Sequence, residues 1–289
     1  MLLWDRYAAV SFGKRGEEGI KVTGLRIAFE IEKTSEPNPN TARICIYNLH
    51  PKHWPLLESK DNLTVTLEVG YGGNLEQIYF GDIKKSSFSN EDATKNNAAP
   101  VTFSTQGPDT VTTIEAASGI EAIQKATIDK SYTQGIDMKT PLVDVVNTFK
   151  EMGGVIVDGA LDFIKTGTFN SKKIQTGLAL AGSSSVNMDN LTGALGLEWS
   201  IQDKKLQIIP KDGKTTEDAV LLSPKTGLVG SPVRREEGIE FTALIQPKIQ
   251  PGRAVRIESM FINGDFRINK VRFNGDTHDN PWYCTAEAK

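Results

Sequence analysis

Two stretches of this chain, residues 21 to 83 and 220 to the end, carry apolar side chains at every second position, in short runs broken by turn residues. Leu25, Ile27, Phe29 and Ile31 alternate with Arg26, Ala28 and Glu30, and Lys33 closes the run. A period of two places successive side chains on opposite faces, the pattern of a half-buried strand. The turn Pro37-Asn38-Pro39-Asn40 follows, and the chain returns through Ala42, Ile44, Ile46 and Tyr47, which predicts a hairpin. Val65, Leu67 and Val69 lead to a second turn at Gly70-Tyr71-Gly72-Gly73-Asn74, and Ile78, Phe80 and Ile83 continue the sheet. Between the hairpins, Pro51 and Pro55 limit any helix to about one turn. Residues 89–99 are polar and predict an exposed loop tip that tolerates insertion; Val101, Phe103 and 111–116 predict further strands.

The period changes near Ser118. Ser118 and Glu121 have capping-box spacing, which predicts a helix over 120–128. Thr140-Pro141 predicts a second helix, with Thr140 as cap and Pro141 at the first position. Its apolar stripe is Leu142, Val145, Val146, Phe149 and Met152, ended by Gly153-Gly154. A third short helix is expected over 189–195. After it, Leu197, Trp199 and Ile201 pair by pattern with Leu206 and Ile208 around Asp203-Lys204. Residues 211–219 read as a polar linker. Alternation then resumes through Ile239, Phe241, Val255, Ile257, Phe266, Ile268, Val271 and Phe273, with turns at 247–252 and at Asn263-Gly264-Asp265. Trp282, beside Pro281, is expected to be a buried packing residue. The fold class is mainly β (α+β overall), in three parts: 1–117, 118–219 and 220–289.

Composition narrows the function classes. The 289 residues are enough to bury a core without staples. A net charge of −3 argues against a dedicated nucleic-acid binder and against an electrostatic membrane anchor. No stretch approaches the roughly 18 to 20 apolar residues of a membrane-spanning helix. Asp5 and Arg6 interrupt any signal-peptide core. Cys45 and Cys284 lie far apart in strand-like runs, and nothing requires a disulfide, so a reducing compartment is expected.

The search for chemistry finds little. His50 and His53 stand three apart without the further ligands a zinc site needs, and read as loop histidines. Gly275-Asp276-Thr277-His278-Asp279 has the letters of a metal or catalytic cluster, but one Asp-x-His cannot close a metal shell. A polar turn between strands is the expectation. Gly182-Ser183-Ser184-Ser185-Val186 lacks the second glycine of a nucleophile elbow and reads as a flexible loop. Gly13-Lys14-Arg15 has the wrong neighbours for a phosphate loop. No basic run is longer than Arg234-Arg235, too short for a stacking groove. Asn62 and Asn190 head chance sequons. No residue is singled out as catalytic, cofactor-binding or metal-ligating, and no cofactor is implied.

Several stretches, in order, resemble the baseplate hub proteins of bacteriophage tails. They are Phe29-Glu-Ile-Glu-Lys33, Pro37-Asn-Pro-Asn-Thr-Ala-Arg43, Ile46-Tyr-Asn-Leu49, Val69-Gly-Tyr-Gly-Gly73 and Ile78-Tyr-Phe-Gly-Asp-Ile83. Leu195-Gly-Leu-Glu-Trp199, Gly238-Ile-Glu-Phe241, Ile262-Asn-Gly264, Gly275-Asp-Thr-His278 and Pro281-Trp282 complete the series. The resemblance implies two tail-tube-like antiparallel β-barrel domains flanking or interleaved with a small α+β domain, and no catalytic residues. It implies a homotrimer joining the sixfold tail tube to the threefold central spike. Its partners would be the tail tube or a tube-initiator protein, the spike and the tape measure protein, with DNA only in transit. Localisation would be the virion, after assembly in the bacterial cytoplasm. With no spike or lysozyme-like segment after Trp282, any cell-wall enzyme is expected to be a separate protein. The competing expectations are another tube-like tail component, such as a distal tail protein, and a β-rich cell-wall hydrolase.

Overall fold

The computed structural model describes residues 5–59, 62–90, 109–167, 169, 171–211, 213–215 and 217–289. Two compact units emerge. One takes the chain up to Lys33, Asn40–Ala117 and Glu217–Lys289; the other takes Thr34–Pro39 and Ser118–Thr216. The first thus draws strands from both alternating stretches. Val101, Phe103 and all of the 89–99 loop beyond Asn90 lie outside the described residues.

In the first unit the chain forms β1 (Arg6–Lys14), β2 (Ile20–Val22), β3 (Ile27–Thr34), β4 (Thr41–Tyr47), the single-turn α1 (Trp54–Glu58), β5 (Leu63–Tyr71), β6 (Asn74–Asn90) and β7 (Thr110–Ala117). The predicted hairpins form as read. Phe29 stands opposite Ile44 and Ile31 opposite Ala42, so the alternating apolar sets of β3 and β4 share one face. Tyr71 and Asn74 close the β5–β6 hairpin across Gly72-Gly73. From the C-terminal stretch come β12 (Val220–Leu222), β13 (Leu228–Arg235), β14 (Gly238–Leu244), β15 (Ala254–Glu258), β16 (Asn263–Asp276) and β17 (Trp282–Ala288), the labels β8 to β11 falling in the other unit.

These strands build one thirteen-stranded sheet in the order β13-β14-β17-β16-β3-β4-β7-β6-β5-β1-β2, with β15 on β16 and β12 on β15. The fold is mainly β. Among the described strands the sheet does not close on itself; β13 and β2 are its ends. Its core is aromatic at the junction of the two stretches. Phe29 meets Trp282 edge-on at 5.6 Å, Tyr71 meets the same indole at 6.4 Å, and Trp282 is 1% exposed, as its reading as a packing residue requires. Gly275 has no room for a side chain: a Cβ there would stand 2.3 Å from Phe29 Cζ.

One turn lies elsewhere than expected. Asn263 and Gly264 are paired strand residues, opposite Glu258 and Ile257, and the chain reverses before them at 259–262. The Asn263 side chain caps this reversal by accepting from Ser259 N–H at 2.9 Å, so it serves the turn from outside.

The second unit holds α2 (Ile120–Lys125), β8 (Thr127–Tyr132), α3 (Lys139–Gly153), α4 (Asp158–Thr166), β9 (Leu178–Ser183), α5 (Ser184–Leu195), β10 (Leu197–Gln202) and β11 (Lys205–Pro210). Leu142, Val145, Val146 and Phe149 form the expected buried stripe of α3, and Phe149 packs on Trp199 at 5.3 Å. Met152 leaves that stripe. It is 45% exposed, and its Sδ accepts from Thr127 N–H. The expected β10–β11 hairpin forms, with Trp199 opposite Ile208 and left-handed Asp203 and Lys204 at its turn.

The helix starts need correction. Ser118 is buried and makes no cap; Gly119, with φ of 70°, stands at the N-cap, and α2 stops at Lys125 because Thr127 enters β8. The second helix begins at Lys139, ahead of Thr140, where the Asp137 side chain accepts from Lys139 N–H. The third begins at Ser184, five residues early, so the serine stretch read as a loop is a helix start. α4, β1, β8 and β9 had no counterpart in the sequence pattern.

Candidate functional site

The cluster Gly275-Asp276-Thr277-His278-Asp279 is the polar turn between β16 and β17, and its work is to tie the two ends of the chain together. Asp276 is buried, and Arg26 forks onto its carboxylate, Nε at 3.1 Å from both oxygens and Nη2 at 2.6 Å from Oδ2. The same carboxylate accepts from His278 N–H and Asp279 N–H. Thr277 Oγ1 accepts from Ile27 N–H, while Thr277 N–H donates to Ile27 O. A carboxylate engaged by one guanidinium and two amides has its lone pairs occupied, which suits a latch and leaves little for a metal or a substrate. Hydrogen bonding to Asp276 raises the Arg26 guanidinium further, against the effect of its partial burial. Arg26 also lies 4.6 Å above the ring of Tyr47, whose phenol burial pushes up to about 12.

The other candidate residues are equally structural. His50 Nδ1 accepts from Lys52 N–H at the start of a short 3-10 turn, Pro51–His53. Partial burial, with Lys52 and His50 nearby, lowers the His53 imidazole. His278 Nδ1 lies 3.0 Å from Thr277 Oγ1. Both cysteines are buried free thiols; burial raises Cys45 and pushes Cys284 up to about 12, which leaves neither nucleophilic. Ser184 is buried and accepts from Thr148 Oγ1 at 2.7 Å. Arg15, beside the would-be phosphate loop, pairs with Asp82, and Arg235 pairs with Glu240. Asn190 lies exposed on α5. Among the described residues, no group of three or more His, Cys, Asp or Glu side chains stands where it could hold a metal ion.

A feature missed in the sequence appears on the sheet face opposite the core. Glu30 stands opposite Arg43, Arg43 opposite Glu115, and Glu115 opposite Lys85. Across the β3–β16 junction, Lys270 and Arg272 both reach Glu32 at 2.7 Å. Lys270 stands opposite Glu287, Glu287 opposite Glu240, and Glu240 meets Arg235 at 2.9 Å. The face therefore carries a ladder of five acids and five bases, each beside an opposite charge. Each exposed pair contributes about 0.2–1 kcal/mol at most. The larger result is that the ten charges of the ladder sum to zero. Each residue sits at the outward parity of its strand, so the alternation held this information, but the strand order needed to line them up did not show.

A sequence profile described as Baseplate hub gp41 matches residues 9–288. This chain belongs to that family. It is a structural component of the phage tail baseplate, which agrees with a site made of latches and paired charges. No curated protein sequence matches it. Among solved structures, the 43 kDa tail protein of prophage MuSo2 from Shewanella oneidensis is similar over 98% of both chains, at 9% identity and a TM-score of 0.59. A tail protein from Neisseria meningitidis MC58 is similar over 98% of this chain and 96% of its own, at 10% identity and 0.59. The E. coli c3393 protein, a type VI secretion component described as structurally similar to T4 tail proteins gp27 and gp5, matches over 96% of this chain and 76% of its own, at 10% and 0.59. At such identities the likeness is one of fold. Among the described residues no helix is long and apolar enough to cross a membrane.

Proposed function

We propose that three copies of this chain form the baseplate hub, joining the sixfold tail tube to a threefold central spike and lining the channel that DNA and the tape measure protein pass through. The supporting observation is the strand order. It separates into an N-terminal lobe, β3-β4-β7-β6-β5-β1-β2, and a C-terminal lobe, β13-β14-β17-β16 with β15 and β12, which meet at β3 and β16. Two lobes per copy give six in a trimer, the number a sixfold tube needs. On this reading 1–117 and 220–289 supply the two tube-like barrel domains, and 118–219 is the α+β insertion. The compensated charge ladder suits a channel wall, since a passing phosphate backbone meets no excess of bases. The tail tube or a tube-initiator protein, the spike and the tape measure protein are the partners, met during assembly in the host cytoplasm.

Native mass and electron-microscope class averages of the purified protein test this. A threefold ring at three times 31.6 kDa, about 95 kDa, is expected. A ring of six favours a distal-tail or tube-initiator role instead. A monomer that neither tube nor spike protein assembles overturns the hub reading.

A further inference from the structure

The reversal between β15 and β16 carries the two most exposed large apolar side chains among the described residues, Met260 at 86% and Phe261 at 70%. A hairpin tip is normally polar, and a floppy apolar tip would fold back onto its own sheet. This one is held. Ser259 Oγ donates to Ile262 O and accepts from Ile262 N–H, while Ser259 N–H donates to Asn263 Oδ1. Below it, Arg256 forks onto Asp265 across the two strands. The tip is thus a preorganised apolar knob, which loses little freedom on docking.

A cavity lies in the same unit, under α1 and along β6. It has a volume of about 470 Å³ and a mixed lining, in which Leu57, Leu63, Ile83 and Phe88 stand beside Glu58, Ser59 and Ser86. Its rim carries Lys84 and Lys85. In a regular strand, neighbouring side chains point to opposite faces. Here the pairing slips between Ile83 and Lys85, and this bulge lets four consecutive residues, Ile83 to Ser86, line one cavity. Glu258, two residues before the knob, is opposite in charge to Lys84 and Lys85, which outnumber the one acid of the lining, Glu58. In the strand order β3, β4 and β7 intervene between β16 and β6, so knob and cavity are separate patches of one chain.

We propose that the Met260–Phe261 knob of one copy seats in the Leu57–Phe88 cavity of the next, with Glu258 facing Lys84 and Lys85. A contact between two different patches is heterologous: repeated about a rotation axis, it closes a ring. This inference rests on the homotrimer reading and names the contact that makes the trimer.

The test is half-assembly concentration, read by analytical ultracentrifugation, in wild type and in M260S/F261S. Both side chains are exposed, so circular dichroism should show an unchanged fold. Loss of a central apolar anchor typically costs about 2 kcal/mol or more, so half-assembly should need about thirty-fold more protein or beyond. K84E/K85E should weaken assembly as well, and E258K should restore it in that background alone. Mixing F261C with F88C chains under oxidising conditions should yield a disulfide-linked heterodimer, free of interference from the buried Cys45 and Cys284. A ring that forms with unchanged affinity in M260S/F261S overturns the knob and leaves the hub reading standing. A wild type that stays monomeric at high concentration also overturns the knob, and addition of tube or spike protein then decides the hub reading separately.

Discussion

In the β unit the latch pair, Arg26 and Asp276, is 250 residues apart in sequence. In the α+β unit the buried hydroxyl pair Thr148 and Ser184 is 36 apart, and Trp199 finds its acceptor Asp189 only 10 away. One unit is closed by contacts between distant stretches and the other by neighbours along the chain. Loop closure costs entropy before a non-local contact returns anything, so the β unit depends on a few well-filled junction positions, while the α+β unit spreads its stability over short-range packing. The difference predicts that damage stays within the unit where it is made.

The largest effect comes from the junction. Trp282→Ala should cost about 3–5 kcal/mol and strip hydrogen-exchange protection from β3, β16 and β17 while α3 keeps its own. Phe149→Ala should do the reverse at a similar magnitude, lowering protection in α3 and β10 alone. Equal loss in both units from either variant would show a single cooperative body and break the comparison. Next comes Gly275→Ala, expected to cost about 1–3 kcal/mol in urea melts because its Cβ would press on the Phe29 ring. Adding Phe29→Leu should recover part of that loss, a non-additivity that places the strain at the junction.

The smallest effect is acid sensitivity. Burial raises the Glu32 carboxyl, but its hydrogen bonds to Lys270 and Arg272 outweigh this and leave it below its ordinary 4.5. A depressed carboxylate contributes fully above its unfolded value and is lost as pH falls through its folded value. Glu32→Gln should therefore cost about 0.2–1 kcal/mol at pH 7, with the gap to wild type closing below pH 4.5. Asp144 gives the α+β counterpart. Burial raises it too, and Tyr132 and Lys130 hydrogen bonds bring it below 3.8, so Asp144→Asn should lose its effect in the same direction, lower in pH. A variant whose deficit persists at acid pH would refute the assignment.

What the sequence made legible follows the same division. Hairpins with the turn beside the strands, β3–β4, β5–β6 and β10–β11, were readable because partner and turn sit within a few residues. The β3–β16 junction was not, since nothing local encodes a partner so far along the chain. β1 escaped because Ala8, Ala9 and Val10 are buried in succession, on both faces, which erases the alternation. Ser118 misled by having cap spacing at a buried site. Asn263-Gly264 misled because its asparagine caps a turn that it does not occupy. The candidate site was legible in one respect: Asp276 and His278 were read as a turn, and the partner that makes that turn matter, Arg26, lies 250 residues earlier in the sequence.

The β3–β16 junction also fixes when the protein exists. At roughly 5–20 residues per second, a ribosome that has released β3 needs on the order of ten to fifty seconds more to deliver β16. Until then one side of β3 is an open edge, with Glu30 and Glu32 as charged deterrents to stray pairing. The nascent chain cannot present its finished surface while it is still being translated.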